Sequence, residues 1–416
     1  MHDARLDDVS GGTPPSSPST ALGPLDGYVV LDLTQFLAGP TCTQILGDLG
    51  ARVLKVEPPA GDSTRDIPPH YIDGSSAYFL SVNRNKESIV VDLKNPAGRT
   101  VIHRLAARAN VFVENFRPGV ADRLGVGFAD IARTRPDIVY CSLSGFGANG
   151  MYRDRPAYDI IVQAMSGAMS LTGEVGGNPV RLGIPVGDLA TGMNGAIAIL
   201  AALLGHTEGK AQRVEISMLD TSIALLSYLA QYHLTAGVVP GPQGSRHESI
   251  ATYRLFECKG GTAIIVAANT ERMWRSLCDV LDLVHLVQDE RFASNQRRVE
   301  NQIQLWEALE LAFARRSATE WLELLSAQSV PAALVNDVGM ALSDPVVSDS
   351  MVEFVRDGAG VNRKLLTSPL KGDVAPRRIK WPPSLGAQTK DILETLGGYT
   401  PAEIDNLQEV GAIVWA

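Results

Sequence analysis

Asp188 stands by itself in the apolar, glycine-rich run GIPVGDLATGMNGAIAILAALLG, with Gly187 before it and Gly192 four residues after. A lone carboxylate in such a place has two uses. Near the start of a helix it can cap N–H groups that lack an intrahelical partner. Flanked by small residues, it can also be approached closely by a substrate while the helix start and backbone donors hold it ionised and aimed, as a nucleophile requires. Taken alone the run favours the cap, so the rest of the chain decides.

The elements that must position this residue are legible from periodicity. YVVLDLTQFLAGP reads as an apolar strand ending in a Gly-Pro turn, and TCTQILGDLGARVLKVEPP as a helix, a glycine stop and a second strand. ESIVVDLKNPAGRTVIHRLAARANVFVENF repeats strand, helix and strand, and PDIVYCSLSGFG adds another strand. Alternation of this kind predicts an α/β protein with a mostly parallel sheet covered by helices and a ligand at the carboxyl ends of the strands. After Asp188 come an apolar helix to Gly205, a strand QRVEISM and a helix from about Asp220 to Ala236. GVVPGPQGSRHES, rich in Gly, Pro and Ser, reads as a crossing over residues 238–250. ATYRLFECKGGTAIIVAAN then reads as a β-hairpin turning at Lys259, Gly260 and Gly261, followed by helical patterns carrying Trp274, Trp306 and Trp321. PAALVNDVGMALSDP begins a return, and the C-terminal part is expected to end in helices and turns.

Composition narrows the classes. The chain has 416 residues, 45% hydrophobic and 20% charged, with a formal net charge of −9. That balance argues against general nucleic-acid affinity without excluding a local phosphate site. Cys42, Cys141, Cys258 and Cys278 are far apart with no C-x-x-C pair, so neither a zinc site nor a disulfide framework is indicated, and a reduced, cytoplasmic compartment fits. The apolar run Ala196 to Leu204 is about half the length a membrane span needs, so no membrane anchor is expected. Residues 1 to about 25 mix acids with Ser, Pro and Gly and read as a flexible leader.

Six blocks in order carry a resemblance: LDLTQFLAGPTCTQILGDLGARVLKVEPPAGDSTR, NRNKESIVVDLKNPAGR, VENFRPGVADRLG, AYDIIVQAMSGAMSLTG, PVGDLATGMNGAIAILAALLG and VEISMLDTSIALL. The chain resembles the class III (CaiB/BaiF, formyl-CoA-transferase-like) coenzyme A transferases from about residue 25 almost to its end. The resemblance implies a Rossmann-like large domain built from both ends of the chain, here residues 26–237 and 331–416, with a smaller central α+β domain at 251–330. It also implies two subunits threaded through each other as an interlinked homodimer. The substrates would be a coenzyme A thioester and a carboxylic acid, with no tightly bound cofactor and no metal.

In that family Asp188 matches the nucleophilic carboxylate, which attacks a bound thioester to give an acyl anhydride and a free CoA thiolate. The backbone N–H groups of Leu37 and Ala38 are candidates for the oxyanion that follows. Lys94 and Arg123 are candidates for the CoA phosphates, with Asn115, Phe116 and Leu124 near the adenine. Tyr78, Tyr158 and Asp159 would place the acid substrate. For Tyr158 and Asp159, ring packing and helix capping are the competing uses. Two departures stand out: Pro58 and Pro156 occupy places where a relative carries basic CoA contacts, for which Arg65, Arg84, Lys86 and Arg155 are possible replacements. The stretch 238–250 matches a loop that covers the reacting centre in the family but lacks its run of consecutive glycines.

Two other activities compete. A racemase of the same fold would use Asp188 as a base on an α-methylacyl-CoA. Related racemases carry a histidine where this chain has Tyr158, so the second proton carrier is missing. A non-catalytic CoA-binding protein has only the lost basic contacts at Pro58 and Pro156 in its favour.

Overall fold

A computed structural model describes residues 23–205, 207–376 and 378–415, so the expected leader lies almost wholly outside the described residues. The elements that build the site are β1 (Val29–Asp32), α1 (Ala38–Asp48), β2 (Arg52–Glu57), β3 (Lys86–Val91), β4 (Val111–Glu114), β5 (Val139–Ser144), α2 (Asp159–Ser166), α3 (Val186–Leu204), β6 (Gln212–Ser217), α4 (Met218–Ala224) and β7 (Ile413–Val414). Their strands form one seven-stranded sheet in the order β7-β3-β2-β1-β4-β5-β6. All pairs are parallel except β7 with β3, as the alternating sequence pattern predicts for most of the sheet. The order 3-2-1-4-5-6 is that of doubly wound sheets, which open a crevice at the carboxyl ends of β1 and β4, where the order reverses. The loops after those two strands, residues 33–37 and 115–119, therefore face each other across it.

The strands are short β-branched runs such as VVLD and VFVE, buried on both faces because helices cover both sides. Charged residues interrupt the apolar pattern where β1, β2 and β3 lie side by side. Asp32 accepts from Thr34 N at 2.9 Å, Thr34 Oγ1 and Thr43 Oγ1 at 2.6 Å each, and Lys86 Nζ at 3.1 Å. Lys55 Nζ donates to the Thr34 carbonyl at 2.9 Å and to Asp62 at 2.8 Å. All four charged groups are fully buried. Ions in such surroundings are tolerable only when paired and fully hydrogen-bonded, and these bonds fasten the start of the loop after β1.

α1 and α3 pack against each other beneath that loop. A Cβ on Gly192 would come within 2.6 Å of the Ala38 carbonyl and 2.8 Å of Thr41, so the close approach of α3 to the first turn of α1 requires glycine there. With 19 residues, α3 is long and apolar enough to cross a membrane by length and composition alone, more than the shorter run suggested. One of its faces packs on α1 and the sheet, while Ile197 and Leu204 remain 63% and 91% exposed.

A second hydrophobic core collects residues from Ala251 to Leu334 around a four-stranded antiparallel sheet. The expected hairpin is present, pairing Tyr253–Glu257 with Ala263–Ala267. Two local expectations change. The helix expected over 220–236 is broken into Met218–Ala224 and Tyr228–Ala236, because Ser227 adopts a left-handed φ of 51°. The return segment holds an unanticipated hairpin, Val352–Arg356 with Asn362–Leu366, and the chain ends in a strand as well as helices.

Candidate active site

Asp188 lies on the first turn of α3, three residues after Pro185, the N-cap, whose side chain makes no capping bond among the described residues. The cap that the position of Asp188 suggested is supplied by a different residue. Asp159 Oδ1 accepts from the backbone N–H of Gly187 at 2.8 Å and of Asp188 at 3.3 Å. The Asp188 carboxylate faces a cavity of about 280 Å³. Ala38, Tyr78, Asn115, Tyr158 and Arg117 line it with Asp188.

Two helix starts meet at this cavity. α1 begins at Ala38, and among the described residues the N–H groups of Leu37 and Ala38 have no protein acceptor, as expected of a first helical turn. They are positioned by a clamp: Asn115 accepts from Gln35 N at 2.9 Å and donates to the Gln35 carbonyl at 2.8 Å. Between the clamp and the helix, Phe36 is held at a φ of 64°, a conformation uncommon for a bulky residue, and its ring meets Tyr158 edge-on at 6.0 Å. The Leu37 side chain itself is buried in the core.

The electrostatics of the cavity are unusual for a carboxylate. Burial, helped by the nearby Asp159 charge, pushes Asp188 up to about 7. The Tyr78 hydroxyl is pushed up to about 12, by burial first and then by the charges of Asp188, Asp62 and Asp159. A carboxylate that resists ionisation in a half-buried cavity is a frequent mark of a reacting group.

A second, more apolar cleft of about 140 Å³ adjoins the loop after β4. Lys94, Phe116 and Leu124 line it together, with Pro58, Leu33 and Val56. Arg123 lines neither cleft. Asn115 holds the loop after β1 instead of lining this second cleft. Of the basic residues considered as replacements at Pro58 and Pro156, three are already engaged: Arg65 with Glu57, Arg84 with Asp48 and Lys86 with Asp32. Arg155 lies over the Tyr152 ring, 4.2 Å from its centroid. A larger cleft of about 450 Å³, between residues 354–358 and 378–388, contains none of the candidates.

Comparison with known proteins decides the family. The description CoA-transferase family III matches residues 25–389. This chain belongs to CoA-transferase family III. The family III transferase is 37% identical to the succinyl-CoA:glutarate CoA-transferase of Mus musculus, over 96% of this chain and 92% of the relative. It is 39% identical to the acetyl-CoA:oxalate CoA-transferase of Acetobacter aceti, over 79% of this chain and 85% of the relative. A CAIB/BAIF family protein from Brucella suis superposes with a TM-score of 0.80 at 35% identity, covering 90% of this chain and 99% of the other. As an enzyme the transferase acts on a CoA thioester and a carboxylic acid.

Several residues of the transferase's cavity were missed in the sequence. Arg117 is an exposed cation on the wall and makes no ion pair among the described residues. Thr191 and Met218, from α3 and α4, also line it, as do Phe36, Leu143, Ser144, Gly145 and Ala157. The turn spelling NFRPG carried a signal for Arg117, since a basic residue after a strand end at the crevice faces the ligand. Nothing local marked Thr191 or Met218, whose places depend on helix packing.

Proposed function

We propose that the enzyme transfers CoA from an acyl-CoA to a free dicarboxylic acid through covalent intermediates on Asp188. The observation that carries this reading is the Asp188 carboxylate itself: it lies on the wall of a cavity that Ala38 also lines, where among the described residues the N–H groups at the start of α1 have no acceptor. Its oxygen attacks the thioester carbonyl, the carbonyl oxygen takes the negative charge, and Leu37 N–H and Ala38 N–H, without an acceptor among the described residues, are the donors assigned to that charge. Collapse expels the CoA thiolate and leaves an acyl-aspartyl anhydride. The thiolate then attacks the Asp188 carbonyl, releasing the donor acid and giving an aspartyl-CoA thioester. The acceptor carboxylate displaces the thiolate to form a second anhydride, and thiolate attack on the acceptor's carbonyl yields the new CoA thioester and returns Asp188 as a carboxylate.

The cleft lined by Lys94, Phe116 and Leu124 supports CoA binding by offering an apolar slot next to a cation. The relatives' substrates, glutarate and oxalate among them, support a dicarboxylic acceptor, and Arg117 supplies a cation for its second carboxylate. Tyr158, 61% exposed at the cavity, packs against Phe36 and can also contact the acid. The exposed apolar faces of α3 and of the segment after α4 support burial against a second subunit, in keeping with an interlinked homodimer. β7, closing the large sheet from the far end of the chain, supports a large domain built from both termini. Four buried free cysteines suit a reducing compartment.

The racemase reading loses support, because among the described residues no histidine lines the Asp188 cavity. Mixing succinyl-CoA or acetyl-CoA with a panel of dicarboxylates, with mass analysis of the CoA products, tests the transfer. Hydroxylamine trapping during turnover should modify Asp188, and Asp188→Ala should abolish exchange while still binding CoA. Turnover by that variant at the wild-type rate would refute the mechanism.

A further inference from the structure

Resting on the reading of Asp188 as nucleophile, we infer that Asp159 is a positioning residue that acts through Asp188: one of its oxygens holds the first turn of α3, and its charge keeps the nucleophile reactive. The resemblance implied that Asp159 contacts the acid substrate, but Asp159 is 8% exposed and does not line the cavity. Its bonds all run inward. Oδ1 takes the N–H groups of the consecutive residues Gly187 and Asp188. Oδ2 accepts from Gln163 Nε2 at 2.5 Å, and Gln163 Oε1 in turn accepts from Leu182 N at 2.9 Å. Asp159 is the first residue of α2 yet it caps α3, so one carboxylate ties together α2, the approach to α3 and the backbone of the reacting residue.

Gly187 is needed for the arrangement. A Cβ there would sit 2.8 Å from Asp159 Oδ1 and 3.2 Å from Ser222 Oγ, so any larger residue pushes the capping oxygen away. The pairing of Gly187 with Asp188 in the sequence thus has a physical cause: the glycine admits the oxygen that orients the aspartate after it.

Capping two N–H groups with an anion places negative charge near Asp188, and that charge raises the affinity of Asp188 for a proton in the same direction as burial does. A carboxylate that binds protons more tightly is also a stronger nucleophile toward a carbonyl, provided that the solution is alkaline enough to ionise it. Among the described residues the titratable groups facing Asp188 are few. Asp159 faces it from α2, the Tyr78 hydroxyl from the helix Ala77–Ser81, Tyr158 from the turn before α2 and Arg117 from the loop after β4. α1 and α4 bring Ala38 and Met218, which do not titrate.

The test is the pH dependence of kcat/KM for Asp159→Asn and Gly187→Ala beside the wild type. Asn keeps an oxygen that can accept from Gly187 N–H but removes the charge. The expected result is an acid limb displaced to lower pH by half a unit or more, with KM for the acceptor acid little changed. Gly187→Ala keeps the charge and displaces the oxygen, and is expected to lower kcat tenfold or more. It carries the test alone if Asp159→Asn does not fold. An unshifted acid limb in Asp159→Asn, an effect of that variant confined to the acceptor's KM, or a wild-type kcat in Gly187→Ala overturns the inference. Hydroxylamine trapping on the wild type separates this from the parent reading: failure to label Asp188 refutes the nucleophile itself, whereas labelling with an unshifted limb refutes only the role of Asp159.

Discussion

At the scale of single residues, the chain accepts a destabilised carboxylate where chemistry needs one. Asp188 is neutral in both folded and unfolded chains at low pH, so it takes nothing from stability there. As pH rises from its ordinary 3.8 toward about 7, the unfolded chain ionises it and the folded chain resists. Stability from this group is therefore full in acid and lost as pH rises through that window. Asp188→Asn should match the wild type near pH 4 and exceed it at pH 8 by about 1–3 kcal/mol, a figure reduced from the full shift because the side chain is partly solvated. Thermal unfolding at the two pH values checks this, and equal gains at both would mean that the charge is not strained. Arg117 gives a second expectation at this scale. If it meets the acceptor's second carboxylate, Arg117→Ala should raise KM for dicarboxylic acceptors by roughly 10–100-fold, the worth of a charge-assisted bond, and leave that for a monocarboxylic acceptor of similar length nearly unchanged.

At the scale of elements, the site is made by two helix starts brought together, and Gly192 is where they touch. Gly192→Ala forces a methyl to within 2.6 Å of the Ala38 carbonyl, so α1 must move away from α3. The expected result is a loss of about 1–3 kcal/mol in stability together with a lower kcat, since the N–H groups of Leu37 and Ala38 move with α1. Assays of both quantities check it; a stability loss with unchanged kcat would mean that α1 does not stabilise the transition state. This packing also explains what could be read in advance. The strand and helix order of the large sheet was legible because β-branched runs such as VVLD and VFVE alternate with helical periods, and Asp188 was conspicuous as one charge in an apolar run. Which cap it would lack was not legible, because the capping oxygen comes from Asp159, 29 residues away. The buried pairs of Arg65, Arg84 and Lys86 were equally hidden, since a charged residue on a strand looks the same in sequence whether it meets a partner or a phosphate. The break at Ser227 depends on one left-handed residue with no glycine to announce it.

At the scale of the whole molecule, the described residues leave an apolar surface that they do not themselves cover. On α3 Ile197 and Leu204 are 63% and 91% exposed, and beyond α4 Leu234 and Val239 are 76% and 79% exposed. A soluble protein seldom presents so much apolar surface unless another surface buries it. Burial in an ordinary dimer and in an interlinked one makes different demands, because surfaces that merely dock can separate whereas threaded chains separate only by unfolding. Sedimentation should first give a species of twice the 44.5 kDa chain mass. Tagged and untagged dimers, mixed and held under native conditions at low concentration, should then form no mixed species over days, yet should yield mixed dimers after joint unfolding and refolding. Mixed dimers appearing under native conditions would show that the subunits dock without threading, and a species of single-chain mass would leave the exposed faces of α3 and the following segment to some other partner.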